Sequence, residues 1–288
     1  MIPNPLRDAL AAPRTREFVF GNEDFEALRK LVKDITGINL SDQKRELVYG
    51  RLARRLRALQ LRTFAEYRDL LASDGGQEIG EFCNAITTNL TSFFRESHHF
   101  DYLREQVLQP MAANHAAPRR IRIWSAGCST GEEAYSLAMT VVEALPDLRG
   151  WDVKILATDL DSDVLAKAQR GIYVADRVRS IGPQRLSRFF VEQRGRDGPS
   201  YEVTPELTSL ITFKQLNLMH SLPMKGPLDA IFCRNVVIYF DKETQRELFS
   251  RIAHLQRPGQ LLFLGHSESL FKVSESYTPI GKTVYRRC

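Results

Sequence analysis

Two glycines and two glutamates stand together in the stretch Trp124-Ser-Ala-Gly-Cys-Ser-Thr-Gly-Glu-Glu133. Gly127 and Gly131 permit a turn in which the backbone approaches a ligand where a Cβ would clash, and the helix start that follows offers unpaired N–H groups. The spacing is Gly-x-x-x-Gly rather than Gly-x-Gly-x-x-Gly, so a dinucleotide site is not the first expectation. On spacing alone, a purely structural βα turn and a ligand-binding turn both remain open.

The acidic pair at this helix start indicates the charge of a possible ligand. Thr130 and Glu133 fit the Thr-x-x-Glu pattern of a capping box, which requires no ligand. Glu132 and Glu133 would also repel a phosphate group and attract a cation. A cofactor with an ammonium and a sulfonium, such as S-adenosylmethionine, is therefore favoured over a nucleotide phosphate, and the pattern points towards a methyltransferase.

Polar residues also follow two further apolar runs. Asp159 ends the run 155–159, where a carboxylate can accept hydrogen bonds from both ribose hydroxyls, while Asp161 or Ser162 can cap the next helix. The run 228–233 is apolar and then abruptly polar, with Tyr239 soon after it. The carboxyl ends of parallel strands form the active edge of a sheet, so these positions are candidate site residues.

The elements that would position these residues form two regions. Helical spacing of apolar residues predicts an all-helical N-terminal domain over residues 17–114, followed by a linker at 115–119. Strands at 121–125, 153–158, 210–214, 228–233 and 260–264 then alternate with helices near 131–145, 161–170 and 241–256. This alternation predicts an α/β fold over 120–288 with a doubly wound, mostly parallel sheet and an antiparallel last strand at 276–287. We also expect a small β-subdomain inserted at about 183–210.

Composition and charge restrict the function classes. The 288 residues carry 40 Lys plus Arg against 35 Asp plus Glu, so any electropositive function must come from local clustering. The four cysteines have no Cys-x-x-Cys spacing and predict reduced thiols, with no zinc site and no other metal. No apolar run approaches the roughly 20 residues that span a bilayer. Residues 1–16 are expected to be a loose polar leader, and the protein to be cytoplasmic without membrane insertion.

A basic helix is the second informative feature. Between Lys44 and Arg68 there are eight basic and two acidic side chains. On a helical wheel, Leu52, Leu56 and Leu59 fall on one side, and four arginines fan over the other: Arg51, Arg54, Arg55 and Arg57. This face is either a solvated surface or a docking surface for an acidic partner, and nucleic acid is one such partner.

Several motifs in order resemble the CheR family of chemotaxis protein methyltransferases, from about residue 22 to 286. They are Thr87-Thr-Asn-Leu-Thr-Ser-Phe-Phe-Arg-Glu96, Trp124–Glu133, Ala157-Thr-Asp-Leu-Asp161, Phe232-Cys-Arg-Asn-Val-Val-Ile-Tyr-Phe240 and Gly265-His-Ser-Glu268. The resemblance implies an all-helical domain followed by a class I S-adenosylmethionine methyltransferase domain with an inserted β-subdomain.

The resemblance also implies roles for individual residues. The cofactor S-adenosylmethionine would be held by Asn89, Thr91, Arg95, Gly127, Glu133, Asp159, Asn217, Leu218, Arg234 and Asn235. Arg95 and Tyr239 would act at the methyl-transfer edge. The substrate-binding arginines would be Arg51, Arg54, Arg55 and Arg57, facing the acidic methylation helices of chemoreceptors.

The resemblance implies transfer of a methyl group to glutamate side chains of chemoreceptors, which gives γ-methyl esters and S-adenosylhomocysteine. The enzyme is expected to be a monomer, and tethering of a receptor's C-terminal peptide by the 183–210 element stays open. The competing class is a nucleic-acid methyltransferase that would bind through the basic helix. Against it, the fourth strand ends Cys-Arg-Asn-Val-Val-Ile-Tyr239 and lacks the Asn/Asp-Pro-Pro-aromatic motif of amino-group nucleic-acid methylases.

Overall fold

The computed structural model describes residues 16–73, 76–114, 118–145, 147–195 and 198–288. The chain divides into two compact units. The first contains the described residues up to Leu31 together with Leu40–Ile86, and the second contains Val32–Asn39 and Thr87–Cys288. Among the described residues, no helix has both the length and the apolar character required to cross a lipid bilayer.

The first unit is helical, as predicted. Helix α1 (Asn22–Thr36) begins there, and a short 3-10 turn (Asp42–Lys44) precedes α2 (Arg45–Ala58), α3 (Phe64–Ser73) and α4 (Gln77–Ile86). A capping box precedes α3, since the Glu66 N–H donates to Thr63 Oγ1 at 3.1 Å and the Thr63 N–H donates to Glu66 Oε2 at 3.3 Å. The apolar side chains predicted to share one face of α2 include the buried Leu52 and Leu56.

The second unit begins earlier than the predicted boundary at 115–119, of which residues 115–117 lie outside the described part of the chain. Helices α5 (His98–Leu103) and α6 (Gln109–Ala113), joined by a π turn (Arg104–Leu108), belong to it. Phe100, Leu103 and Leu108 lie in one core cluster with strand residues Ile121 and Ile123. The apolar face of this helical segment is therefore buried against the sheet, and that burial moves the boundary to Ile86.

Within the described residues, the sheet of the second unit has seven strands, which lie in the order Ile211–Gln215 (β6), Asp152–Asp159 (β2), Arg120–Ala126 (β1), Ala230–Cys233 (β7), Leu261–Leu264 (β8), Val284–Arg287 (β10) and Tyr277–Gly281 (β9). The five parallel strands are β1 (Arg120–Ala126), β2 (Asp152–Asp159), β6 (Ile211–Gln215), β7 (Ala230–Cys233) and β8 (Leu261–Leu264). The main crossover helices are α7 (Glu132–Ala144), α8 (Ser162–Arg170) and α12 (Lys242–Ala253). The predicted doubly wound, mostly parallel sheet is confirmed.

Both faces of the central strands are buried, which explains their continuous apolar sequence. Phe232 and Phe263 lie in the core cluster on one face, whereas Ile231 and Leu262 lie in the cluster on the other. The last predicted strand is two antiparallel strands, β9 (Tyr277–Gly281) and β10 (Val284–Arg287), and β10 pairs with both β8 and β9.

The inserted β-subdomain is a three-stranded antiparallel sheet in the order β3-β5-β4. Its strands are β3 (Ile172–Val174), β4 (Phe190–Gly195) and β5 (Gly198–Val203), with short helices α9 (Ala175–Val178), α10 (Pro183–Phe189) and α11 (Pro205–Thr208) around them. It starts before the predicted 183–210 because Tyr173 pairs with Tyr201 across β3 and β5. Residues 196–197 of the predicted turn lie outside the described part of the chain.

Candidate functional site

The glycine turn between β1 and α7 is hydrogen-bonded to the carboxyl end of β2. The N–H groups of Gly127 and Cys128 donate to the Thr158 carbonyl at 2.8 and 2.9 Å, and the Ser129 N–H donates to Asp159 Oδ2 at 2.8 Å. Gly127 has a φ of +91°, and a Cβ there would overlap Cγ2 of Val236. A side chain at position 127 is therefore disfavoured both by backbone conformation and by the Val236 side chain.

Asp159 and Asp161 accept hydrogen bonds from different backbone groups, and the cap predicted at Asp161 or Ser162 is at Asp161. Asp161 caps α8, since its Oδ1 accepts from the N–H groups of Asp163 and Val164 at 2.9 and 3.2 Å. Asp159 is 9% exposed and accepts from the Asp161 N–H at 3.0 Å as well as from Ser129. Burial raises the pKa of Asp159 to about 6, although these backbone hydrogen bonds oppose the rise. Its contact with a ribose stays a prediction.

The segment that precedes α5 is joined to this edge through Asn89. The Asn89 amide donates to Asp161 Oδ2 at 2.7 Å, and its carbonyl accepts from the Ser129 hydroxyl at 2.9 Å. Thr91 is half-buried further along the segment. Arg95 is also half-buried, and its Nη1 donates to the Leu90 carbonyl at 2.9 Å. The fold therefore brings Asn89 beside the turn, and Arg95 follows on the same segment.

Arg234 is the centre of a buried charge cluster. Its Nη1 lies 3.0 Å from Glu133 Oε2 and its Nη2 lies 3.3 Å from Glu96 Oε2, while Nη2 also donates to the Arg95 carbonyl. Glu133 accepts a second hydrogen bond from Ser125 Oγ at 2.7 Å. Burial raises the pKa of Glu133, and the nearby Arg234 opposes this. The guanidinium thus holds together the end of β7, the start of α7 and the segment that carries Arg95.

Glu96 is a residue whose part in the site was not predicted, although it ends one of the motifs that resemble the CheR family. Its Oε1 lies 2.9 Å from His266 Nδ1. Burial raises the pKa of Glu96, but the hydrogen bonds from His266 and the charge of Arg234 lower it to about 2 overall. Glu96, His98 and His99 bring possible metal-ligand atoms within 4.8 Å of one another. The Arg234 guanidinium already supplies the positive charge beside this carboxylate.

The predicted capping box of Thr130 with Glu133 is wrong. Gly131, with a φ of +97°, is the N-cap of α7, and Thr130 Oγ1 donates to Glu132 Oε2 at 2.6 Å instead. Glu132 is buried and also pairs with Arg177. Because Arg177 and Arg234 each neutralise one glutamate, the helix start does not present two free acids that would select a cationic ligand.

The residues after β6 and β7 have further contacts within the second unit. Asn217 donates from its amide to the Ile35 carbonyl at 2.6 Å, and Leu218 is buried in the core. Asn235 has a φ of +59°. Tyr239 is half-buried in a 3-10 turn (Val237–Tyr239), and its carbonyl accepts from the Asn39 N–H at 2.7 Å. The cofactor contacts expected of Asn217, Leu218 and Asn235 stay predictions.

The four arginines of α2 do not form one free basic face. Arg51 is half-buried and donates to the Ala85 and Ile86 carbonyls at the end of α4, at 3.2 and 2.6 Å. Arg55 donates to both carboxylate oxygens of Glu78 and to Glu81. The predicted fan is corrected in this respect, because these long side chains reach carbonyl and carboxylate groups of a neighbouring helix.

The other two arginines of α2 are exposed. Arg57 pairs with Glu17 at 2.8 Å, and Arg54 has no hydrogen-bond or ion-pair partner within the described part of the chain. Arg54 and Arg57 are therefore the members of the predicted substrate-binding set that are open to a partner. Substrate binding by the set stays a prediction.

Comparison with known proteins agrees with this architecture. Residues 89–286 match the family model of the CheR methyltransferase, SAM binding domain, and residues 23–87 match that of the CheR methyltransferase, all-alpha domain. The chain is 44% identical over 271 residues to chemotaxis protein methyltransferase 2 of Pseudomonas aeruginosa, covering 94% of this chain and 95% of that protein.

A second relative gives the same result. The chain is 42% identical over 284 residues to the chemotaxis protein methyltransferase of Escherichia coli, and the match covers 96% of this chain and 95% of that protein. The all-alpha model covers most of the helical unit, and the SAM binding model covers most of the α/β unit described above. The chain therefore belongs to the CheR family of S-adenosylmethionine-dependent chemotaxis methyltransferases.

Proposed function

We propose that the chain methylates glutamate side chains of chemoreceptors and so forms glutamate γ-methyl esters during chemotactic adaptation. Its relatives bear the name chemotaxis protein methyltransferase, which supports receptors as substrates. The observation that carries the proposal is the Arg234 cluster, which joins the loop after β7 to Glu133 at the turn and to the Arg95 segment. Methyl donor and acceptor would meet at this edge.

The residues at this edge fit S-adenosylmethionine. The buried Asp159 carboxylate accepts backbone N–H groups on both oxygens, and a carboxylate has about four lone-pair sites, so it retains capacity to accept from a hydroxyl group. Because Gly127 has no Cβ, the backbone of the turn can approach the cofactor closely. The residues that would hold the cofactor are Asn89, Thr91, Gly127, Glu133, Asp159, Asn217, Leu218, Arg234 and Asn235, while Arg95, which was expected at both places, is assigned here to the acceptor. When bound, the cofactor supplies an electrophilic methyl group.

The chain's own residues must orient the acceptor rather than activate it. A glutamate carboxylate is already ionised at neutral pH, so no general base is required. Arg95 uses one N–H on the Leu90 carbonyl and has others with which to hold one oxygen of the acceptor. The Tyr239 hydroxyl, which has no hydrogen-bond partner in the described ranges, orients the same carboxylate. Both residues thereby align the acceptor carboxylate with the methyl group and exclude water from the two.

Docking of the receptor would use the first unit. The methylation helices of chemoreceptors are acidic, and the exposed Arg54 and Arg57 offer complementary charge. The enzyme would act as a cytoplasmic monomer on receptors anchored in the membrane. The β3-β5-β4 subdomain is the candidate site for a tethering peptide from a receptor's C-terminus.

Transfer of a labelled methyl group to cell membranes tests the proposal. Membranes from a strain with receptors should acquire label that mild base releases, because a carboxyl ester is base-labile and an N-methyl group is not. Membranes from the receptorless strain are the control and should acquire none. Base-stable label in nucleic acid would overturn the proposal in favour of a nucleic-acid methyltransferase.

A further inference from the structure

One buried carboxylate outside the set of predicted site residues holds the loop that contains several of them. Glu268 is 5% exposed. Its Oε2 accepts from the N–H groups of Asn235 and Gly265 at 2.8 and 2.6 Å, and its Oε1 accepts from those of Val236 and Ile238 at 2.9 and 3.2 Å. Four backbone donors thus converge on one side chain, and three belong to the loop 235–238.

This loop needs such support because apolar burial alone does not fix it. Ile238 is 46% exposed, and Asn235 has a φ of +59°, which non-glycine residues adopt at a cost. The N–H groups of Asn235, Val236 and Ile238 lie outside the strands and make no hydrogen bonds within the sheet; they donate to Glu268 instead. An ionised carboxylate, which only accepts hydrogen bonds, satisfies several of them at once.

The loop has packed neighbours on two sides. A Cβ on Gly265 would overlap the Asn235 side chain, and a Cβ on Gly127 would overlap Val236. A shift of the loop backbone is therefore transmitted to the glycine turn that precedes α7. Arg234 and Tyr239 flank the loop directly, so the position of both depends on the same backbone.

We infer that Glu268 is a positioning residue for methyl transfer, which fixes the loop 235–238 and so sets the places of Arg234, Asn235 and Tyr239. Glu268 need not touch cofactor or acceptor. The inference rests on the proposed function, because the roles of those three residues are themselves proposed. Burial raises the pKa of this carboxyl, while its four backbone hydrogen bonds act in the opposite direction.

The test compares Glu268→Gln with Asp229→Asn. Asp229 is a control because its half-buried carboxylate also accepts a backbone N–H, that of Arg122 at 2.8 Å, but at the opposite edge of the sheet, just before β7. The amide in Glu268→Gln can accept from only one pair of N–H groups and presents its own donors to the other pair. Thermal unfolding of both variants measures the purely structural effect.

With receptor membranes, kcat of Glu268→Gln should fall by roughly tenfold to a hundredfold, since a displacement of about 1 Å can cost that much. KM for receptor should change by less than about threefold, because the docking residues lie elsewhere, and Asp229→Asn should keep kcat within about twofold. Equal kcat values for the two variants at similar unfolding temperatures would overturn the inference.

Binding of S-adenosylhomocysteine, measured by calorimetry, separates this inference from the proposed function because it needs no methyl acceptor. Affinity should be weaker in Glu268→Gln than in Asp229→Asn by about tenfold, and equal affinities overturn the inference even if receptor methylation fails for the wild type. Should Glu268→Gln not fold, Gly265→Ala displaces the same loop from its other side. Wild-type kcat and affinity in Gly265→Ala would then overturn it.

Discussion

Arg234 and Glu133 form an ion pair away from solvent, with Nη1 of the arginine 3.0 Å from Oε2 of the glutamate. One residue follows β7 and the other lies in the first turn of α7. Desolvation of the two charges is costly, and the pair is retained only where further hydrogen bonds compensate. Ser125 supplies such a bond to Glu133, and the Arg95 carbonyl accepts one from Arg234.

Loss of one partner of this pair should be strongly destabilising. Arg234→Met leaves the buried Glu133 carboxylate without its counter-ion and near the half-buried Glu96, and we expect the free energy of unfolding to fall by about 3–5 kcal/mol. Urea unfolding followed by circular dichroism measures this change. Arg179→Met, which breaks the exposed pair with Asp176, is the control and should leave the unfolding midpoint unchanged. A loss below about 1 kcal/mol in Arg234→Met would contradict the assignment of a buried, compensated pair.

Two glycines with nearly the same backbone angle separate conformational strain from steric overlap. Gly127→Ala and Gly259→Ala both place a side chain at positive φ, +91° and +90°, which should cost about 1–2 kcal/mol in each variant. Only Gly127→Ala also forces a Cβ against Val236, whereas position 259 has open space. We expect a further loss of about 1–3 kcal/mol in Gly127→Ala, measured by urea unfolding. Adding Val236→Ala should recover part of that difference, and equal losses in the two single variants would show that the overlap is relieved without cost.

Cofactor binding should depend on pH through Asp159. Its pKa is raised to about 6, so the carboxylate that accepts hydroxyl hydrogen bonds is progressively protonated as the pH falls below neutrality. The affinity for S-adenosylhomocysteine should therefore fall by roughly tenfold between about pH 7 and pH 5. Calorimetry over this range tests the expectation. Asp159→Asn should bind more weakly and lose this pH dependence, and an unaltered slope in that variant would assign the titration to another group.

Arg95 should govern turnover more than cofactor affinity. In Arg95→Ala the acceptor carboxylate loses a charged partner, and we expect kcat on receptor membranes to fall by roughly a hundredfold. Affinity for S-adenosylhomocysteine should change by less than about threefold. Parallel measurement of Tyr239→Phe, which removes one hydroxyl, should give a smaller loss of kcat. Near-normal turnover in Arg95→Ala would remove this residue from the catalytic set, and a matching loss of affinity would assign it to the cofactor.

The arginines of α2 should divide into a docking group and a structural group. Arg54→Glu should raise KM for receptor membranes by several-fold at low salt, and the difference should shrink as salt screens the charges. Arg62→Glu makes the same charge change in a loop of the same unit and should have a smaller effect. Arg55→Glu instead opposes Glu78 and Glu81, so it should lower thermal stability at every salt concentration. A salt-independent KM in Arg54→Glu would leave that residue as an ordinary solvated charge.

Local patterns in the sequence were sufficient to predict the main strands and helices of the sheet and the polar residues next to them. The apolar runs before Asp159 and Arg234 predicted strands β2 and β7, and residue type limited the cap of α8 to Asp161 or Ser162, of which the structure shows Asp161. Lys282 and Thr283 were not recognisable as a turn, because lysine and β-branched threonine seldom adopt the positive φ of 49° and 58° found here. The predicted single last strand therefore became the hairpin of β9 and β10.

Contacts between distant segments could not be predicted in the same way. Helical spacing shows that α5 has an apolar face, but it does not show which core buries that face, so the domain boundary was misplaced. Glu78 lies 23 positions from Arg55, and a helical wheel contains no information about such a partner. The resemblance to the CheR family named Arg234 as a residue of the site but gave no reason for its two carboxylate partners.

The place of β10 between β8 and β9 has a consequence for biosynthesis. All four residues of β8 are buried in the finished sheet, yet on one side β8 pairs only with β10. While the ribosome translates the codons beyond β8, this apolar strand has an open edge to which any other strand can add. The nascent chain thus has an unpaired apolar strand edge in the interval between emergence of Leu264 and emergence of Arg287, and chaperone binding in that interval would limit aggregation.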